Sequence, residues 1–443
     1  MSALALLAVL ALLGSRLGGA LTIPEDGLLH RCALYVMGGA VVLHLLLTLL
    51  DFAGIPWNPF LLAGLAILFF ILGRRFLPRA PERTRLPWDP GWGDALALAA
   101  LGAFVLIGLT GWILFPDFVY HWGIKGHRFF LARGVDYAWL SPGWNWVVHP
   151  EYPNLVPELF AVSALAAGRF EAPAMVLGAS AFCALLLAEV REGLRRGGAD
   201  RFTRQAGLAL TALAVLGFGI GHSMAAAADW WMALALAAAV PALLRPADRQ
   251  GDLQIGVAAA FAAASKVEGV TLAAFLALVQ LGRRAWTERR LDPGAAARVG
   301  LPAAAVVLPW LARLVRHDLF LPLHSGPFQP DRAGAVFAAI LEALRTPAWH
   351  GFGFAALLPP LLLIPRRTRP FAVAATLQLA FYVYVYFTAR VEDPRYFVLS
   401  NFARLILHLI PASLAMTLIA LSQKKTAGGE NPTGRLRDPG APP

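Results

Sequence analysis

Long apolar stretches recur from one end of this chain to the other, and patches of arginine and lysine separate them. No other feature constrains the fold so tightly. Residues are 58% hydrophobic and 15% charged over a length of 443, far more apolar surface than one aqueous core would enclose, so most of the chain is dissolved in lipid. A lipid-exposed backbone must satisfy its own hydrogen bonds within each segment, which leaves helices as the reading for apolar stretches of this length. The sequence therefore predicts an all-α, polytopic transmembrane helical bundle of about thirteen spans. They lie near 2–20, 30–50, 58–73, 94–115, 172–190, 206–221, 228–244, 253–265, 268–282, 298–315, 351–365, 370–388 and 403–421.

The basic patches orient the bundle, because Lys and Arg accumulate in cytoplasmic loops. Patches beginning at Arg74, Arg191, Arg283, Arg366 and Lys424 all fall on one side with these spans. That side is read as the inside. Counting 153–170 as a further span would throw the arginines between Arg191 and Arg204 outside, so this segment is read as an interfacial or re-entrant helix. Residues 333–344 are likewise read as a helix on the outer surface. Two large outer loops result, 116–171 and 316–350. The formal charge of +11 is distributed as a bilayer-oriented protein distributes it, which argues against nucleic acid as a partner. Cys32 and Cys183 lie in apolar segments and offer neither a disulfide framework nor a Cys-rich metal site. The N-terminal apolar run has no cation before it and further spans after it, so it reads as a first membrane helix rather than a signal peptide.

Polar chemistry concentrates on the outer side. At 100° per residue, Asp117, His121, Lys125 and Arg128 fall within an arc of about 80° beside Phe118, Trp122 and Phe129, an amphipathic helix lying in the interface. Anchoring at the bilayer edge is the competing explanation for the cations and aromatics. Asp117 gains nothing from anchoring and is the candidate catalytic residue. The prolines of "HPEYPNLVPELF" fix the backbone around Glu151 and Tyr152. Asp229, Lys266, Glu268, Arg395, Tyr396 and Arg404 complete the outward-facing set, against the alternatives that Lys266 and Glu268 merely pair and that Arg404 snorkels.

Taken in order, "PDFVYHWGIKG", "HPEYPNLVPELFA", "AADWWMALAL", "AAASKVEGVTLAA" and "DPRYFVLSNFARLILHLIP" resemble the GT-C glycosyltransferase superfamily, especially bacterial relatives of protein mannosyltransferases and the lipid A aminoarabinose transferase. The resemblance covers roughly 94–422. It leaves 1–93 as extra N-terminal transmembrane helices, 94–421 as a GT-C-like catalytic membrane domain and 422–443 as a disordered cytoplasmic tail. It implies an integral protein of the bacterial inner membrane whose site faces outward. There it would move a sugar from a polyprenyl-phosphate donor to an acceptor hydroxyl on a glycan, lipid or protein.

That chemistry needs a base for the acceptor and cations for the leaving phosphate. Asp117 is the base; Arg395, with Lys266 and Arg404, holds the phosphate; His121, Lys125, Glu151, Tyr152, Asp229, Glu268 and Tyr396 line the substrates. No cofactor is expected, and a divalent metal, though compatible, is not indicated: no D-x-D pair stands at Asp117, and Arg395 neutralises Glu392 and Asp393. Two other classes share these features. A polysaccharide ligase or polymerase drawing on a lipid diphosphate would not need a base at Asp117; a transporter or lipid flippase would place ionisable groups near mid-membrane or on paired broken helices.

Overall fold

The computed structural model describes residues 2–429 apart from 78, 80, 83–88, 112–116, 142, 144–147, 218–227, 291 and 321–325. Among the described residues every regular element is a helix. Six helices are long and apolar enough to cross a membrane, or seven with one bent pair counted as a span, as in an integral membrane protein. They are α2 (Leu28–Phe52), α3 (Pro59–Phe76), α4 (Trp92–Gly111), α7 (Ala172–Arg196), α12 (Pro293–Arg316) and α14 (Arg369–Thr388). The bent pair is α15 (Pro394–Leu405), extended by a 3₁₀ turn through His408, and α16 (Ile410–Gly429), whose axes differ by 50°.

The other expected spans take different forms. Segment 2–20 becomes α1 (Ser2–Ser15), and 228–244 becomes α9 (Asp229–Leu244), of 14 and 16 residues. Segments 253–265 and 268–282 become α10 (Arg249–Ser265) and α11 (Val267–Glu288). The 206–221 segment begins as α8 (Arg201–Ala212), widens into a π-turn at Leu213–Gly217, and then leaves the described residues. Residues 351–365 form two 3₁₀ turns, Phe352–Leu357 and Pro359–Leu363. Pro359 and Pro360 remove two backbone donors there, and because a 3₁₀ turn rises about 2 Å per residue, twelve residues still cover about 24 Å.

Local chemistry sets the boundaries. Asn58, Asp200, Asp248 and Asp393 each accept a backbone N–H of the first turn that follows them, which satisfies donors a helix start leaves open. All sixteen residues of α9 are buried. A helix apolar on every side belongs at the centre of a bundle, and α9 lies there against α7 and α10. Within the N-terminal segment, α2 packs against α1, α7 and α10, while α3 sits on the rim with few partners. The α1–α2 contact depends on glycine: a Cβ on Gly39 would stand 1.9 Å from the Leu10 carbonyl oxygen, a close approach of the kind small residues permit between membrane helices.

Alternation of direction sorts the charges into two layers. At one end Arg191 pairs with Asp94 at 2.8 Å, Arg196 with Asp26 at 2.5 Å, and Arg284 with Asp252 at 2.8 Å. This is the end of the patches at Arg191 and Arg283. The opposite ends of α2, α9, α10, α12 and α15 carry Asp51, Asp229, Lys266, Arg313 and Arg404. There the loop helices α5 (Gly123–Ala132), α6 (Leu155–Ala167) and α13 (Ala333–Leu344) gather.

Segment 153–170, read from the sequence as an interfacial or re-entrant helix, does not lie flat on the surface. It holds the thirteen-residue α6, about 20 Å long and short of the roughly 30 Å hydrocarbon layer. Rather than lying on a surface, α6 packs against α1, α2 and α5 with Leu155 to Ala161 buried. Of the expected tail, residues 422–429 continue α16 and 430–443 lie outside the described residues.

Candidate functional site

Asp229 opens α9 and is fully buried. Its Oδ1 accepts from Lys266 Nζ at 2.9 Å and lies 2.8 Å from His408 Nε2; its Oδ2 accepts from Arg404 Nη2 at 3.2 Å. Two segments far apart in sequence thus converge on one carboxylate. Lys266 stands between α10 and α11, where the backbone becomes extended (φ −157°, ψ 155°) for one residue. Arg404 closes α15, and His408 occupies the 3₁₀ turn at the bend.

The same Arg404 Nη2 also donates to Asp117 Oδ2, 287 residues away. One guanidinium nitrogen therefore bridges two carboxylates, while Nε and Nη1 of Arg404 make no hydrogen bond among the described residues. These donors can each offer an anion a single bond, and a two-bond fork forms only when Nη2 is released from a carboxylate. The Asp117 side chain is 22% exposed and that of Arg404 30%, whereas Asp229 is closed off, so only the first pair meets material from outside the bundle. Glu268 lies 3.5 Å from Lys266 Nζ, and its Oε2 is buried with no hydrogen-bond partner.

A second wall comes from the stretch that follows Asp117. Phe118–Trp122 is a π-turn leading into α5, and such a turn holds an extra residue, which rotates everything after it. The four polar residues therefore do not share one surface stripe. Lys125 is 0% exposed and donates to the His149 carbonyl at 2.9 Å; His121 is buried beside His149 and Tyr152, with ring centroids 5.0 and 5.3 Å away. Anchoring at the bilayer edge is thereby excluded for both. Arg128 instead turns to Asp136 at 2.5 Å. His149 has φ +49° and its Nδ1 lies 3.0 Å from Glu151 Oε1. The backbone between them is held by Trp310 Nε1, which donates to the Glu151 carbonyl at 2.9 Å.

The electrostatics of this wall follow from burial. Burial pulls the Lys125 ammonium down to about 7 against the favourable field of Glu151. His121 is held well below the usual imidazole value, by burial first and then by Lys125 and His149. The Tyr152 phenol is raised well above its ordinary range by burial and by Glu268 and Glu151. Tyr152 feels the charges of Glu268, Arg404 and Asp229, so the two walls are neighbours.

Arg395 and Tyr396 are not brought to this site. Arg395 forms a 2.9 Å pair with Glu342 of α13, with both side chains more than half exposed, and Tyr396 is 71% exposed. Sequence reasoning missed His408 and its partner Tyr382, whose hydroxyl lies 2.6 Å from His408 Nδ1. It also missed a polar group at the same end of the bundle. There Asp51 accepts from the Tyr137 hydroxyl at 2.5 Å and lies 3.4 Å from Arg313, while His44 meets Glu158 at 2.6 Å. One signal was available: His44 and Asp51 are seven residues apart in an apolar helix, hence on one face. Among the described residues, no group of three His, Cys, Asp or Glu side chains has metal-binding geometry.

No protein-family model matches the chain, and no curated protein or solved structure is significantly similar to it.

Proposed function

We propose that this chain is a membrane glycosyltransferase of GT-C-like architecture, transferring a sugar from a polyprenyl-phosphate donor to an acceptor hydroxyl at the outer face of the membrane. The observation that carries the reading is Arg404 poised between Asp117 and Asp229 with half of its guanidinium unused. A phosphate that displaces Asp117 from Nη2 would meet a guanidinium edge bidentately, and Lys266 adds a second cation through Asp229. As the acceptor oxygen bonds to the anomeric carbon, the bond from that carbon to the phosphate oxygen breaks. The electron pair leaves with the polyprenyl phosphate, toward Arg404, and the acceptor proton passes to Asp117. Donor phosphate competes with Asp117 for Arg404, so binding the donor would free the carboxylate to act as base. Lys125, His121, Glu151, Tyr152 and Glu268 line the sugar side.

The remaining architecture enters the proposal with it. Two helices too short for a bare bilayer, α9 and α10, are sheathed by neighbours, so about thirteen crossings remain compatible with six long apolar helices. With the arginine-rich end inside, the Asp117 end faces outward, as in a bacterial inner-membrane enzyme that works on a lipid-linked sugar.

One observation favours a transporter: the bent pair carries Arg404 and His408 at and near its break, as discontinuous helices on substrate paths do. Only one such pair occurs among the described residues, and its charges sit at the mouth of the bundle. The test is direct. Purified protein in nanodiscs receives polyprenyl-phosphate sugars, and products are read by mass spectrometry. Asp117→Asn should lower turnover by about two to four orders of magnitude while leaving donor binding intact. Near-normal turnover of the variant rules out the base; activity only with polyprenyl-diphosphate sugars converts the reading to a ligase or polymerase; sugar movement without transfer converts it to a transporter.

A further inference from the structure

Asp229 is too deeply enclosed to touch either substrate, yet two cations assigned to the phosphate hang from it. What fixes Asp229 is a chain of two more buried side chains. His408 and Tyr382 are both 0% exposed, one at the bend between α15 and α16 and the other on α14. The separations are 2.8 Å from His408 Nε2 to Asp229 Oδ1 and 2.6 Å from His408 Nδ1 to the Tyr382 oxygen.

The direction of each bond follows from chemistry. A carboxylate already bonded to Lys266 and Arg404 is ionised and accepts only, so Nε2 carries a proton and donates. A neutral imidazole then offers Nδ1 as an acceptor, and the Tyr382 hydroxyl donates to it. The chain reads Tyr382 O–H to His408 Nδ1, then His408 Nε2–H to Asp229. The carboxylate selects the tautomer, and the Tyr382 hydroxyl, able to donate or accept, follows it. The helix that supplies Tyr382 also steadies the neighbouring cation: one turn earlier, Gln378 Nε2 donates to the Glu268 carbonyl at 3.1 Å and Gln378 Oε1 accepts from Thr271 at 3.2 Å. Residues four apart share a helix face, so one face of α14 supports both His408 and the turn that carries Lys266.

We infer that His408, with its Nε2–H set toward Asp229 and its ring steadied from behind by Tyr382, is a positioning residue that orients Asp229 and through it holds Arg404 and Lys266 where the leaving phosphate meets them. The inference rests on the proposed transferase reading. A purely structural histidine would need only to fill space and satisfy its hydrogen bonds. A positioning histidine must present one nitrogen, at the distance of Nε2, to one oxygen.

The two isosteric amides separate these cases. Gln places its amide nitrogen near the imidazole Nε2 and keeps the donor to Asp229; Asn places its nitrogen near Nδ1 and cannot reach. Wild type, His408→Gln, His408→Asn and Tyr382→Phe are compared in nanodiscs for thermal stability, for maximal rate and half-saturation in polyprenyl-phosphate sugar, and by ¹⁵N NMR of histidine-labelled protein. His408→Gln should retain activity within about 10-fold, while His408→Asn should lose about 100-fold in maximal rate at saturating donor, the span typical of outer partners of catalytic groups. Both amides should melt at similar temperatures. The His408 signal, assigned by its loss in the Gln variant, should show a protonated Nε2 and a bare Nδ1, and Tyr382→Phe, which removes the support on Nδ1, should cost about 10-fold in rate.

Equal rates for the Gln and Asn variants, or a protonated Nδ1 in wild type, overturn the inference. If wild type transfers no sugar from any polyprenyl-phosphate donor, the transferase reading has failed, while the NMR arm still decides the tautomer and the bond to Asp229.

Discussion

Lys125 gives the sharpest thermodynamic test, because a lysine with no exposure should destabilise the fold wherever it is charged. Its ammonium moves from an ordinary 10.5 to about 7, about 3.5 units, which at 1.36 kcal/mol per unit is at most about 5 kcal/mol. The sign runs as follows for a depressed lysine. Between pH 7 and 10.5 the unfolded chain holds the proton and the native chain does not, so stability rises with pH across this window. Below pH 7 both states are protonated and the full penalty applies. Lys125→Met keeps the length of the side chain and removes the charge, giving up the bond to the His149 carbonyl, worth about 1 kcal/mol net, and the 5.6 Å approach to the Trp122 ring. The variant should therefore be more stable than wild type by several kcal/mol at pH 6. The advantage should shrink through pH 8 and 9, and at pH 10.5 it should vanish or reverse by the value of the lost bond. Chemical denaturation in the same detergent at each pH measures the difference, in which titrating groups beyond the reach of Lys125 cancel. A gap that stays constant from pH 6 to 10.5 refutes the reasoning, since it would place a charged Lys125 in the native state throughout.

Arg395→Lys should leave maximal rate and half-saturation within about 2-fold, because its pair with Glu342 is exposed and such pairs contribute about 0–1 kcal/mol; a large loss of maximal rate would return Arg395 to the phosphate. Arg404→Lys should instead abolish most turnover, since a lysine has no planar fork to give a phosphate, and a fully active variant would remove Arg404 from the site. Orientation is read with single cysteines in a background lacking Cys32 and Cys183. One at Ser141 should react with an impermeant thiol reagent in intact cells and one at Thr203 should not; the reverse pattern would put the Asp117 end on the cytoplasmic side.

How far the site was legible in the sequence turns on helix geometry at a few residues. The all-helical architecture follows from apolar length alone, and Asp117, Asp229, Lys266 and Arg404 stand out as charges at the ends of apolar runs. Projection failed in the opening loop because the π-turn at Phe118–Trp122 holds one residue more than an α-turn, so Asp117 meets Arg404 while His121 and Lys125 turn into the loop. No composition signal marks such a turn. The choice between Arg395 and Arg404 was open to a simpler argument. They are nine residues apart on one helix, and nine steps of 100° make about 180°, so only one of the two can face Asp117. Pro394 takes the first helical position, with Asp393 accepting the Tyr396 N–H at 3.0 Å, which makes the prolyl-arginine step a helix start rather than an aiming device. Arg404 lies on the inward face, and four further residues, about 40° on, bring His408 to the same side. A histidine inside "LILHLIP" looks like a core residue when taken alone. Once Arg404 is placed against Asp229, helical spacing alone puts His408 within reach of the same carboxylate.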